Sequence, residues 1–164
     1  MTPDMASNTK PAPQREKPFP RRCARCRQLT VHPVAIPYRS EILHDGRLHM
    51  VEVPQLTVPR CQNCGELSFD NRAEDQIDEV FRAQLRLLTP EQIRTNRQTL
   101  GLTPRELETR LGVEDGLVAA WEAGLRIQSR VQDNMLRLYY SLPQVRSFLA
   151  QDTHLPDFGT CVVQ

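Results

Sequence analysis

The sequence predicts an α+β chain in two parts: a small β-module clasped by cysteines, then a connecting helix leading into an all-α domain. Three observations carry that expectation. Cys23-Ala24-Arg25-Cys26 and Cys61-Gln62-Asn63-Cys64 are two C-x2-C pairs with 34 residues between them. Asp45-Gly46 sits between two alternating runs in "SEILHDGRLHMVEV", a two-residue hairpin signal. From residue 89 on, short helical periods follow one another, three of them opened by a Thr-Pro or Ser signal and several closed by Gly.

Composition sets the outer bounds. At 164 residues the chain fits one medium domain or two small ones. With 21 Lys+Arg against 20 Asp+Glu, no overall basic field announces nucleic acid. No apolar run reaches the roughly 18 residues that span a bilayer, and "MTPDMASNTKPAPQREKPFP" lacks the apolar centre of a signal peptide. No membrane partner is expected, and a cytoplasmic location is, where grouped cysteines bind metal more often than they pair. The expected divisions are a disordered tail over 1–20, the cysteine module over 21–68, the connecting helix over 69–89, the helical domain over 90–150 and an irregular tail over 151–164.

Each C-x2-C pair offers two thiolates from one tight turn, and two such turns complete a tetrahedral S4 site. Gly65 suits a turn that needs positive φ. A hairpin folded at Asp45-Gly46 would bring the two turns together, giving a zinc-ribbon-like module with metal ligands Cys23, Cys26, Cys61 and Cys64 and one structural Zn2+ per chain. Iron is the other metal weighed, and redox C-x-x-C motifs or plain buried thiols are the bland alternative. Four cysteines close the coordination sphere, so a structural site is expected over a catalytic one. Arg21, Arg22, Arg25 and Arg27 ring the first pair and would offset thiolate charge or meet an acidic partner. His32, His44, His49 and His154 have no spacing that competes with the cysteines, and Cys161 stands alone.

In "DNRAEDQIDEVFRAQLRLL", Ile77, Val80, Phe81, Leu85 and Leu88 recur at helical spacing. Acidic residues crowd the start and Arg82 and Arg86 lie near the end, which complements the helix dipole. The apolar stripe needs a partner: its own domain, a second copy, or another protein.

"LTPEQIRTNRQTLGLTPRELETRLGVEDGLVAAWEAG" reads as three short helices. Thr89-Pro90-Glu91-Gln92 and Thr103-Pro104-Arg105-Glu106 each carry capping-box logic with Pro at the first helical position. The second helix ends near Leu111-Gly112, and the third runs from about Asp115 to Ala123 and stops at Gly124. Leu107, Leu111, Val113, Val118, Trp121 and Leu125 would share a core. A tight pair of this kind places its second helix in the DNA major groove.

In the pattern Arg97-x-x-Leu100-Gly101-Leu102-Thr103 … Leu111-Gly112-Val113 … Trp121-Glu122-x-Gly124, the segment resembles the Cro/phage-repressor (XRE) helix-turn-helix family. That resemblance implies an Arg97–Glu122 ion pair. The whole layout of two cysteine pairs, connecting helix and helix-turn-helix is similar to the YgiT/MqsA-type zinc-finger antitoxins over roughly residues 21–142. It implies a homodimer joined through its helical part, bound to an operator palindrome in double-stranded DNA and repressing its own operon. It also implies a ribonuclease toxin blocked by the N-terminal module.

Base-reading positions of such a helix map onto Asp115, Gly116 and Ala120, where the antitoxins typically have Asn and Arg at the last two. Gly and Ala cannot make bidentate contacts to bases. Glu114 and Asp115 would instead cap the third helix. Residues 90 to 142 hold seven Arg and seven acids, so DNA contact would rest on arrangement: Thr103, with Arg94 and Arg105, and Arg126 and Arg130 after the third helix, flanking the groove and holding phosphates. A rival reading uses the small face of Gly116, Ala119, Ala120, Ala123 and Gly124 to dock protein, making the chain an adaptor that binds no DNA.

Ser129 would cap a further helix carrying Val131, Met135, Leu136, Leu138 and Tyr139, and Pro143 would begin another with Val145, Phe148 and Leu149. The apolar surface left over would serve as a homodimer seam. Nothing in the sequence assembles an enzyme site: there is no phosphate-cradling Gly loop and no evident nucleophile and base.

Overall fold

A computed structural model describes residues 18–150 of the chain. The expectations for the two tails, apart from residues 18–20, and for His154 and Cys161 lie outside the described residues. The chain is α+β, a two-stranded antiparallel sheet and six helices among the described residues: β1 (Val31–His44), β2 (Arg47–Cys61), α1 (Asn71–Gln84), α2 (Pro90–Thr99), α3 (Pro104–Leu111), α4 (Leu117–Glu122), α5 (Arg130–Ser141) and α6 (Pro143–Ala150). No helix of the described residues is long and apolar enough to cross a membrane.

The hairpin turns at Asp45-Gly46, with φ of +51° and +71° and His44 paired with Arg47. Two consecutive left-handed residues make a type I′ turn, which matches the twist of the strands it joins. A bulge interrupts the ladder: Ile36 faces Leu56 and Tyr38 faces Val53, so Pro37 stands against both Pro54 and Gln55. The extra residue resets the alternation of β2. Val51 and Val53 point to one face, and after the bulge Leu56 and Val58 point to that same face.

Helix α1 covers this face. Ala73, Ile77 and Phe81 are buried with those four β2 residues, and Val34, Ile36, Tyr38 and Ile42 of β1 pack around them. Each large side chain so buried contributes about 1.5–3 kcal/mol. The partner that the amphipathic stripe required is therefore the hairpin of its own chain. Asp70 caps α1 by accepting from the Ala73 N–H at 3.2 Å.

The expected connecting helix over 69–89 is shorter, because α1 ends at Gln84 and Arg86 takes φ of +52°. The reason lies in the packing. Leu85 joins the hairpin cluster, whereas Leu88 is buried in the helical core, and a continuous helix could not serve both.

Thr89, Thr103 and Ser129 each form a reciprocal capping box, with Gln92, Glu106 and Gln132 respectively. Each such cap stabilises a helix start by about 0.5–2 kcal/mol. The helices they open enclose Leu88, Ile93, Leu107, Leu111, Leu117, Val118, Trp121, Leu136 and Tyr139, with Val113 partly buried against them. Leu125, expected in that core, is only half-buried and is not among the residues packed there. Asp133 is fully buried and accepts from the Leu88 N–H at 2.7 Å, the Gln128 amide at 3.2 Å and Arg137 Nε at 2.6 Å. It fixes the segment after α1 to the start of α5.

Candidate metal centre and helix-turn-helix

The two cysteine turns have one backbone pattern. The Cys23 N–H donates to the Gln28 carbonyl and the Arg27 N–H to the Cys23 carbonyl; the Cys61 N–H donates to the Glu66 carbonyl and the Gly65 N–H to the Cys61 carbonyl. The fourth residue after each leading cysteine is left-handed, Arg27 at φ +63° and Gly65 at φ +74°. The ladder sets Val31 opposite Cys61, which carries the second turn to the first.

All four Sγ atoms lie within 4.8 Å of one another, close enough to hold one metal ion. Cys23 Sγ is 3.6 Å from Cys64 Sγ, and Cys26 Sγ is 3.5 Å from Cys61 Sγ. An S4 tetrahedron with metal–sulfur bonds of about 2.3 Å has edges near these lengths.

The surroundings favour thiolates unevenly. The Thr30 hydroxyl, 3.3 Å from Cys61 Sγ, together with the Cys64 and Asn63 backbone N–H groups, holds the Cys61 thiol down to about 6. The Gln28 N–H and the Asn63 side chain lower Cys26. The Glu66 N–H pulls Cys64 down as well, but burial and the three neighbouring thiols outweigh it and push Cys64 up to about 12. Four thiols this close cannot all ionise on their own; a bound cation supplies the charge that lets them.

Three of the four arginines flanking the first pair meet protein groups. Arg21 pairs with Asp70 at 3.2 Å and lies over the Phe19 ring, Arg22 donates to the Arg27 carbonyl at 2.9 Å, and Arg25 pairs with Glu66 at 3.3 Å. His44 and His49 are at the far end of the hairpin, edge-on to Phe81 with centroids 5.3 and 5.7 Å away.

In the helical part, α4 packs on α2 and α3. Gly112 ends α3 at φ +64°, and Gly116 precedes α4 at φ +84°. Arg97 Nε and Nη2 donate to the two carboxylate oxygens of Glu122 at 2.6 and 2.8 Å, and Nη1 donates to the Leu102 carbonyl at 2.5 Å. The ion pair implied by the resemblance is thus formed, buried between α2 and the end of α4.

The cap of α4 is not the expected one. Gly116 occupies the capping position without a side-chain bond, and Glu114 and Asp115 are exposed. The buried Glu108 of α3 accepts from the Val118 N–H at 2.9 Å. A carboxylate already held in the core serves the helix start better than two solvated acids in the turn.

The DNA-facing candidates fall into two groups. Thr103 and Arg105 are exposed at the start of α3, Asp115 and Gly116 are exposed before α4, and Ala120 is half-buried on it. The Thr103 hydroxyl is engaged within its own capping box, donating to Glu106 at 2.7 Å. Arg94 donates to the Glu122 carbonyl at 2.8 Å, and Arg126 stands 3.6 Å from Glu114. Arg130 is drawn toward the hairpin: its N–H donates to Asp45 Oδ2 at 2.7 Å and its guanidinium to the Leu85 carbonyl. Sequence reasoning missed Glu108, Gln128 and Asp133, and the bond of the turn residue Asp45 to Arg130, because the partners Val118, Leu88 and Arg130 lie 10 to 85 residues away and leave no local pattern.

No model of a known protein family matches the chain, and no curated protein matches it.

Proposed function

We propose that the chain is a DNA-binding transcriptional regulator with one structural zinc ion, working as an antitoxin that represses its own operon and neutralises a ribonuclease toxin. The observation that carries the DNA half of this reading is the α3–α4 pair, joined by a five-residue turn and braced by the buried Arg97–Glu122 bridge, with Arg105 and Glu106 in the first turn of α3 and Glu114, Asp115 and Gly116 just before α4 left exposed. An XRE-type domain presents a helix to the major groove from such a scaffold. Arg105 and Arg126 would hold phosphates, and specificity would lean on DNA shape because Gly116 and Ala120 offer no donor.

The zinc assignment rests on the donor set. Four thiolates at tetrahedral spacing suit zinc, and the closed shell leaves no position for a water. Cys23, Cys26, Cys61 and Cys64 would hold the ion and tie the ends of the hairpin together. A homodimer is supported by α5, where Val131, Met135 and Leu138 are exposed at spacings of four and three residues, with Leu142 exposed at the C-cap just beyond. That is a single apolar stripe on one helix face. The toxin partner rests on the layout's likeness to the antitoxins.

The test is binding to DNA from the protein's own promoter, followed by fluorescence anisotropy across a salt series. Binding that weakens steeply with salt and is reduced by Arg105→Ala supports the reading. No binding at low salt by folded, metal-loaded protein would sink it. That outcome would favour the adaptor instead, for which Gly116, Ala119 and Ala120 give α4 a small, donor-free face.

A further inference from the structure

The hairpin half and the helical half of the molecule share little core. The helical cluster takes no residue from β1, β2 or α1, and from beyond α1 the hairpin cluster takes only Leu85, the residue that caps that helix, and Ile127. Between the hairpin tip and the start of α5 lies a cleft of about 580 Å³, edged by His49, Leu87 and Val131. Polar bonds span this gap.

These bonds sort by the side of the pivot to which they belong. Gln128 holds the Leu88 carbonyl at 2.7 Å, Asp133 the Leu88 N–H, Arg137 the Arg86 carbonyl at 2.9 Å and Arg130 the Leu85 carbonyl. All four fasten the 85–88 segment to the helical half. The chain then leaves for α1 through Leu85 and the left-handed Arg86, so the hairpin half pivots there. Elsewhere the two halves are joined by hydrogen bonds that this segment does not make. Arg82 Nη2 reaches the Arg126 carbonyl at 3.3 Å, and Asp45 Oδ2 accepts from the Arg130 N–H at 2.7 Å. The Asp45 bond is the shorter of the two. Asp45 meets the first N–H of a 12-residue helix, where a carboxylate is stabilised by the unpaired donors and the dipole. His44 Nε2 sits 3.7 Å from the same carboxylate oxygen.

We infer that the hairpin turn is a latch: Asp45, seated on the N-terminus of α5, fixes the angle between the cysteine-bearing hairpin half and the helical half. Removing that carboxylate frees the two halves to reorient about Leu85–Arg86. If the helix-turn-helix reads DNA as proposed above, the latch also couples the two ends. Whatever covers the hairpin turn and takes Asp45 changes the setting of Arg126 and Arg130, and DNA on those arginines changes the affinity at the turn by the same factor.

The test does not depend on DNA. Residual dipolar couplings of backbone amides in β2 and in α3 report whether the halves share one alignment. The metal-loaded wild-type protein is expected to fit both sets to one tensor. Asp45→Gly keeps the positive φ of the turn and removes the carboxylate. Arg130→Pro removes the donor from the other side, at the first helical position, where proline is best tolerated. Both variants are expected to need two tensors while each half keeps its own internal couplings. A wild-type protein that already needs two tensors, or variants that still fit one, would overturn the latch. A variant that loses the couplings within a half has failed to fold, and the other then decides.

Discussion

Arg97 on α2 and Glu122 at the end of α4 form a two-pronged ion pair, with side chains only 9% and 7% exposed. The Glu122 hydrogen bonds raise the Arg97 guanidinium further above its ordinary range, so the charged form is the folded form. Breaking the pair from one side strands a buried charge. Glu122→Ala or Arg97→Ala is expected to cost about 3–5 kcal/mol, read as a fall in the urea midpoint. Replacing both with apolar residues of similar size, as in Arg97→Met with Glu122→Leu, is expected to cost much less than the sum. A double variant as unstable as that sum would show that the two residues act separately.

Glu108 closes the start of α4 from inside the core. Glu108→Ala leaves the Val118 N–H buried without an acceptor and is expected to cost about 1–3 kcal/mol. Glu108→Gln keeps an acceptor and should recover most of it. The Asp115→Ala variant, exposed and outside the cap, is expected to stay within about 0.5 kcal/mol of the parent. Thermal melts of the three variants check the order.

The metal centre has its own signature. Elemental analysis of protein purified without added metal is expected to give one zinc per chain. A chelator should abolish the dispersed amide shifts of residues 21–31 and 59–66. A zinc ion held there would supply on the order of 10 kcal/mol, more than that small cluster can replace. A Cys61→Ser protein that remains ordered at both turns without metal would contradict the assignment.

Glu106 gives a pH test. The Thr103 N–H and hydroxyl donate to its carboxylate and hold it below its ordinary value of 4.5. A depressed carboxylate contributes stability above its unfolded pKa and loses it as pH falls through the folded one. The Thr103–Glu106 box should therefore stay closed at pH 5 and open only below the range where other glutamates titrate. A side-chain NMR titration in which Glu106 protonates at or above its ordinary value of 4.5 would refute this.

What the sequence displayed and what it concealed divide by distance along the chain. The capping boxes at Thr89, Thr103 and Ser129 join residues three apart, and the turn at Asp45-Gly46 needs only its own two φ angles, so a short window contains each cause. The cysteine cluster was legible because its ligand spacing is itself the signal. Glu108 to Val118, Asp133 to Leu88 and Asp45 to Arg130 are joined across 10, 45 and 85 residues. In a one-dimensional reading an acid in such a place is a solvated acid. The end of α1 was hidden for another reason: the periodicity of Leu85 and Leu88 continues, yet the two leucines serve different cores.

The prolines of the hairpin carry a consequence for the behaviour of many copies together. A sheet of two strands is all edge, and an open edge is where like chains stack into fibres. Pro33 stands opposite Pro59, and Pro37 meets Pro54 at the bulge. Lacking an N–H, these residues cannot donate to the ladder between β1 and β2, so their nitrogens occupy the outward positions. Gln76 binds the backbone of Thr57 on the outer side of β2, and Ser68 binds the Pro59 carbonyl there. A neighbouring copy approaching either strand finds gaps where it needs donors. Replacing Pro33 and Pro37 with valine would leave the hairpin's own pairing intact and turn β1 into a growing end.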